Sequence, residues 1–217
     1  MSGVQRFAQL CRTIVGVGRN YKDHAAELGN SVPSKPLIFM KPPASIILEG
    51  ENIEIPVGCS EIHHEIELGI VIQSKCKNVP EAEAMNYVGG YILALDMTAR
   101  DFQNEAKKKG QPWAMAKCFD TSCPVSNFIP KEQISDPHDV QLLCSVNDTE
   151  RQNGHTKDMI FRVPYLISYI SKYFTLNEGD LILTGTPAGV GPVKSGDVIQ
   201  GEIPGVVKFT YKVTSRV

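Results

Sequence analysis

The chain cuts its apolar residues into short runs and sets glycine turns between them, and this punctuation limits what it can fold into. Glu178-Gly179-Asp180 precedes Leu181-Ile182-Leu183, and Ser195-Gly196-Asp197 precedes Val198-Ile199. A glycine turn followed by a few aliphatic residues reads as the entry to a short strand. Comparable strand signals fall at residues 13–18, 37–40, 53–55, 65–73, 90–95, 140–146 and 208–213. Helical signals are fewer. They cover residues 20–29, 81–86 and 98–109, the last closed by Gly110. Residues 158–174 are predicted as the longest helix, with Ile160, Val163, Ile167, Ile170 and Phe174 at helical spacing and Pro164 near its start. Many short strands with few helices predict an α+β domain dominated by folded-over sheet.

A length of 217 residues suits one domain with a sizeable core. Residues 13–217 are expected to form it, with residues 1–12 as an N-terminal extension. The formal charge of -2 gives no electrostatic case for a nucleic-acid or membrane partner. Runs such as Leu181-Ile182-Leu183 are too short to cross a bilayer. The cysteines Cys11, Cys59, Cys76, Cys118, Cys123 and Cys144 include no C-x-x-C pair, which points to reduced thiols in an intracellular compartment. Residues 1–22 carry Arg6, Arg12, Arg19 and Lys22 and no acid, as a mitochondrial presequence does. The expectation is mitochondrial residence, with a cytosolic share as the alternative. Residues 13–18 already read as a strand, so only the first dozen are available for targeting.

The chemistry concentrates in a few places. Glu65 and Glu67 in His63-His64-Glu65-Ile66-Glu67 project from the same face of a strand. Asp96 ends the apolar run Tyr91-Ile92-Leu93-Ala94-Leu95 and can close a third corner. Three hard oxygen ligands without a soft partner suit Mg²⁺ or Mn²⁺. The competing reading is a solvated strand face; the apolar Ile66, Leu68, Ile70 and Ile72 opposite favour a cleft. His63 reads as a neighbour holding a carboxylate.

His24 and Glu27, three apart on a predicted helix, form either a base oriented to deprotonate water or an incidental surface pair. Arg100 and Gln103 share the same spacing after Asp96, and the arginine fork suits a carboxylate. Lys117 stands in the otherwise uncharged Trp113-Ala114-Met115-Ala116-Lys117, where it either snorkels from the core or faces a buried anion. Thr184-Gly185-Thr186-Pro187-Ala188-Gly189-Val190-Gly191-Pro192 lacks the Lys-Ser/Thr of a P-loop. Its backbone N–H groups and the Thr186 hydroxyl can cradle a carboxylate, or the segment is a structural turn.

Taken in order, RNYKDHAAELG, HHEIELG, DMTARDFQ and TGTPAGVGP resemble the fumarylacetoacetate hydrolase family over nearly the whole chain. The tract GGYILALDMTARDFQNEAKKKGQPWAMAKCFDTSCP is most similar to its short, single-domain acylpyruvase and oxaloacetate decarboxylase branch. The resemblance implies a β-rich roll of mixed sheets with a few short helices and a short helical lid. It implies Mg²⁺, with Mn²⁺ as an alternative, on Glu65, Glu67 and Asp96. His24 and Glu27 would be a catalytic dyad on the lid. Arg100, Gln103, Lys117 and Thr186 would contact a small 2-oxo acid, Lys117 also taking part in catalysis.

The implied assembly is a homodimer. The implied reactions are cleavage of 2,4-dioxo acids to pyruvate and a carboxylate, decarboxylation of oxaloacetate, and its keto–enol tautomerisation, all through a metal-stabilised enolate. One alternative is a family isomerase or decarboxylase of aromatic-catabolism dioic acids, which calls for a larger pocket with more basic groups. The other is a non-catalytic metal-binding homologue.

Overall fold

The structure is a computed structural model that describes residues 6–22 and 33–216. Its centre is the strand Ile66–Ile72, buried along its whole length. A strand covered on both faces loses the polar alternation of a half-exposed one. It pairs antiparallel with Val88–Leu95 on one side and with Leu181–Leu183 on the other. Ile14–Gly18 then runs parallel to Leu181–Leu183, and Leu37–Lys41 and Ile129–Pro130 form the edges of this six-stranded sheet.

A five-stranded sheet runs in the order Thr149–His155, Gln141–Val146, Val198–Ile203, Val207–Ser215, Ile53–Ile55. In Val207–Ser215, Phe209, Tyr211 and Val213 are buried and alternate with exposed Lys208, Thr210 and Lys212. That period of two fixes one face toward the core, where these residues join Ile66, Leu68, Leu93 and Leu95. The result is the β-rich α+β architecture the sequence predicts.

Helix Arg100–Lys109 ends at Gly110, which adopts φ 64° and donates its N–H to the Ala106 and Lys107 carbonyls. Its start differs from expectation, because Thr98–Ala99 pairs as a strand with Ile62–His64. Residues 158–174 do not form the longest helix; the helix there is only Val163–Ser171. Asn20 is the reason. Its carbonyl accepts from Ile160 N–H at 2.7 Å, and its side-chain oxygen accepts from Phe161 N–H at 2.7 Å. Those two residues are therefore committed outside the helix, Arg162 is extended, and Pro164 falls in the first turn, where a missing N–H costs least. Glu81–Tyr87 is a 3₁₀ helix. The helix expected over 20–29 lies outside the described residues from position 23 on. All six cysteines are free. Among the described residues no helix is long and apolar enough to cross a membrane.

His138 caps the helix Val163–Ser171. Its Nε2 accepts from Val163 N–H at 3.1 Å, so the ring is neutral and its Nδ1–H donates to Asp136 at 3.1 Å. Burial pushes the His138 pKa below 6.5, with Asp136 opposing. Burial also lowers His64. On acidification the unfolded chain therefore takes up protons first. The stability from these neutral rings is complete above about pH 6.5 and is lost as pH falls through the lower folded values. His138→Ala should cost about 1 kcal/mol at pH 7.5, the usual worth of a cap, and less at pH 5. Denaturant melts at both pH values test this; an equal loss at both would refute the neutral cap.

Candidate active site

Three neighbouring strands bring their chemistry to one end of the central sheet. Glu67 lies opposite Ala94, and Asp96 N–H donates to the Glu65 carbonyl at 2.8 Å, so the acid pair and Asp96 share one corner. One oxygen from each of Glu65, Glu67 and Asp96 falls within 4.8 Å of the others, and all three side chains are buried. The third strand continues into Gly185, whose N–H donates to Glu67 Oε2 at 2.7 Å. Gly185 has φ +96°, and a Cβ there would meet Asn20 Cβ at 2.7 Å. Only glycine lets the backbone turn its N–H onto the carboxylate at this point.

Buried carboxylates are costly unless paired. Lys117 donates to Glu65 Oε2 at 3.0 Å, to Thr98 Oγ1 at 2.6 Å and to Asp96 Oδ2. Its ammonium also sits 4.6 Å from the centre of the Phe39 ring. Of the two sequence readings for Lys117, the one facing a buried anion holds. Burial opposes its charge, but Asp96 and Glu65 outweigh burial and its pKa is raised. Lys41 donates to Asp96 Oδ1 at 2.7 Å. Arg100 forks between Glu65 Oε1 and Gln103 Oε1, the latter at 2.6 Å. Among the described residues no cation makes an ion pair with Glu67: burial first, then the charges of Asp96 and Glu65, push its pKa well above the ordinary carboxylate value, with Lys117 opposing.

The six predicted residues Glu65, Glu67, Asp96, Arg100, Gln103 and Lys117 thus converge. Thr186 follows Gly185 and is buried, with Gln152 Nε2 donating to its hydroxyl at 2.8 Å. His24 and Glu27 lie outside the described residues. The carboxylate that His63 Nε2 pairs with is that of Glu61, outside the acid cluster, at 2.8 Å, and its Nδ1 accepts from Arg100 Nε at 3.3 Å. Lys41 was not expected. Its only signal is a charge closing the apolar run Leu37-Ile38-Phe39-Met40. Arg19, Lys107, Arg100 and Lys117 line the mouth of the site together with Glu65 and Gln103.

A β-rich domain that gathers three buried carboxylates behind a basic mouth defines an enzyme with a site able to hold a cation and an anionic ligand. The chain belongs to the fumarylacetoacetate hydrolase family: the family model described as fumarylacetoacetate (FAA) hydrolase C-terminal matches residues 13–214. It is 55% identical over 210 residues to Homo sapiens oxaloacetate tautomerase FAHD1, mitochondrial, covering 97% of this chain and 95% of that protein. It is also 55% identical over 204 residues to the Dictyostelium discoideum oxaloacetate decarboxylase, mitochondrial, covering 94% of each. Among solved structures, fumarylpyruvate hydrolase from Pseudomonas aeruginosa in complex with Mn²⁺ and pyruvate superposes with a TM-score of 0.89 at 34% identity, over 95% of this chain and 91% of that one.

Proposed function

We propose that this protein is a Mg²⁺-dependent enzyme of small 2-oxo acids that tautomerises and decarboxylates oxaloacetate and hydrolyses acylpyruvates. The charge balance of the buried cluster carries this reading. Among the described residues, the cations Lys41, Arg100 and Lys117 match the carboxylates Glu65, Glu67 and Asp96. A divalent cation on the three carboxylates leaves two positive charges in excess, and dianionic oxaloacetate restores neutrality. Arg19 and Lys107 at the mouth favour the same anion. The relatives named as oxaloacetate tautomerase and decarboxylase support the substrate, and their mitochondrial names support a mitochondrial location. Residues 13–217 form the catalytic domain of a homodimer in this reading.

The donor set fits a hard cation: three buried oxygens, no thiol and no imidazole. When bound, Mg²⁺ supplies a Lewis acid toward the carboxylate and keto oxygens of a 2-oxo acid. Lys117, held as an ammonium, is a fixed positive charge beside the developing enolate, not a base or an imine-forming amine. Gln103 Oε1 accepts from Arg100, which leaves its amide nitrogen to donate to substrate. Thr186 offers its hydroxyl to the substrate carboxylate. His24, oriented by Glu27, moves the proton at C3 and deprotonates the water that attacks an acylpyruvate.

Acylpyruvate hydrolysis draws on a separate observation. A cavity of about 400 Å³, lined by Phe39, Trp113, Pro112, Leu37 and Ala114, opens beside Lys117. Oxaloacetate does not need it; an apolar acyl tail does. Rates for oxaloacetate, its enol and acetylpyruvate on purified protein with Mg²⁺ test the reading, and no turnover of any would end it. Lengthening the acyl tail by one methylene should lower KM by up to about fourfold, the worth of a buried CH₂. A KM indifferent to tail length would remove the cavity from the account.

A further inference from the structure

Gln152 lies on the strand Thr149–His155, fully buried, and carries four hydrogen bonds. Its Oε1 accepts from Ile66 N–H at 3.0 Å and pairs with His64 Nδ1 at 2.9 Å. Its Nε2 donates to the Pro187 carbonyl at 2.9 Å and to Thr186 Oγ1 at 2.8 Å. Backbone groups have no choice of role, so Ile66 N–H and the Pro187 carbonyl fix which end of the amide is oxygen.

Two consequences follow from that orientation. His64 must carry its hydrogen on Nδ1, and its buried Nε2 is left bare, with no partner among the described residues. Thr186 Oγ1 already receives a hydrogen, so its own O–H is released, and no described residue accepts it. Thr186 adjoins Gly185, which holds Glu67. Without the Gln152 N–H, the hydroxyl is free to donate backwards and present a lone pair to an anion.

We infer that Gln152 is a positioning residue: it makes the Thr186 hydroxyl a donor toward the carboxylate of the 2-oxo acid, with His64 holding the amide from behind. This rests on the proposed placement of Thr186 at the substrate. A chain of hydrogen bonds in one direction also strengthens its last member.

The test is a double-mutant cycle read by binding, with pyruvate as the probe on Mn²⁺-loaded protein. Gln152→Glu keeps the acceptor for Ile66 and His64 but replaces the donor with an acceptor, so Thr186 turns back toward it. Gln152→Glu and Thr186→Val should each weaken pyruvate roughly tenfold, as for one lost hydrogen bond to a charged group, with Mn²⁺ affinity unchanged. The double variant should bind no worse than Thr186→Val alone. The same loss from Gln152→Glu in both backgrounds would mark a structural role and overturn the inference. Unchanged pyruvate affinity in Thr186→Val would instead remove Thr186 from the substrate, the premise itself. If Gln152→Glu does not fold, ¹⁵N NMR of the unaltered protein decides. A protonated His64 Nδ1 with a bare Nε2 is expected; a hydrogen on Nε2 reverses the relay and overturns it.

Discussion

Glu67→Gln is expected to lower kcat/KM for oxaloacetate by about 10³-fold or more while the fold stays intact. A cation that stabilises developing charge contributes several kcal/mol, and about 1.4 kcal/mol corresponds to a tenfold change in rate. Removing one of the three proposed anionic ligands would withdraw that contribution. The fold has no need of the charge. Glu67 takes Gly185 N–H, which an amide oxygen can also accept, and no lysine or arginine pairs with it among the described residues. Burial, then Asp96 and Glu65, raise its pKa.

A carboxyl with a raised folded pKa destabilises the metal-free protein as pH climbs above the ordinary value of 4.5. Glu67→Gln should therefore melt at or above the temperature of the unaltered protein at pH 7.5 without metal. It should also lose the rise in Tm that Mg²⁺ gives by binding the folded state. A variant that keeps both the Mg²⁺-induced shift and the rate would exclude Glu67 from the cation site.

Lys117→Ala and His24→Ala should separate the two kinds of chemistry. Lys117 touches Glu65 and Asp96, and its charge is proposed to serve any reaction that leaves an enolate. Its loss should lower oxaloacetate decarboxylation and acylpyruvate hydrolysis alike, by about 10²–10³-fold, the size of effect seen when a group that stabilises a developing oxyanion is removed. His24 is proposed as the base for water. His24→Ala should cut acylpyruvate hydrolysis by about 10²–10⁴-fold and decarboxylation much less, because CO₂ departs without water attack. Glu27→Gln should follow His24→Ala with a smaller loss, since Glu27 is proposed to orient the base. Comparing kcat/KM for acetylpyruvate and oxaloacetate on each variant at saturating Mg²⁺ decides it. Equal proportional losses in both reactions for His24→Ala would refute this division.

The acid cluster was legible because its geometry is local. Glu67 lies in the strand Ile66–Ile72, Glu65 stands at the one-residue break just before it, and Asp96 follows the strand that pairs with it. Arg100 and Gln103 obey the spacing of a helix. Gly110 ends that helix for a local reason too, its left-handed backbone.

What escaped was set by distant partners. Lys41 matters through Asp96, 55 positions away, and nothing near it in sequence says so. Gln152 sits in a polar strand, Thr149–His155, without apolar alternation, and its partners Ile66 and Thr186 lie far along the chain. The helix expected over 158–174 was shortened from outside, by Asn20 taking the N–H groups of Ile160 and Phe161. Pattern reads the element; long-range hydrogen bonds decide where it stops.

Glu65, Glu67 and Asp96 are proposed to hold a divalent cation on which 2-oxo acid chemistry depends. The most direct measurement is oxaloacetate tautomerisation and decarboxylation by chelator-stripped protein, before and after Mg²⁺ is returned, in the unaltered chain and in Glu67→Gln. The expected result is loss of both rates on stripping, full recovery with Mg²⁺ in the unaltered chain, and no recovery in the variant. Undiminished rates in stripped protein, or full Mg²⁺ rescue of Glu67→Gln, would contradict it.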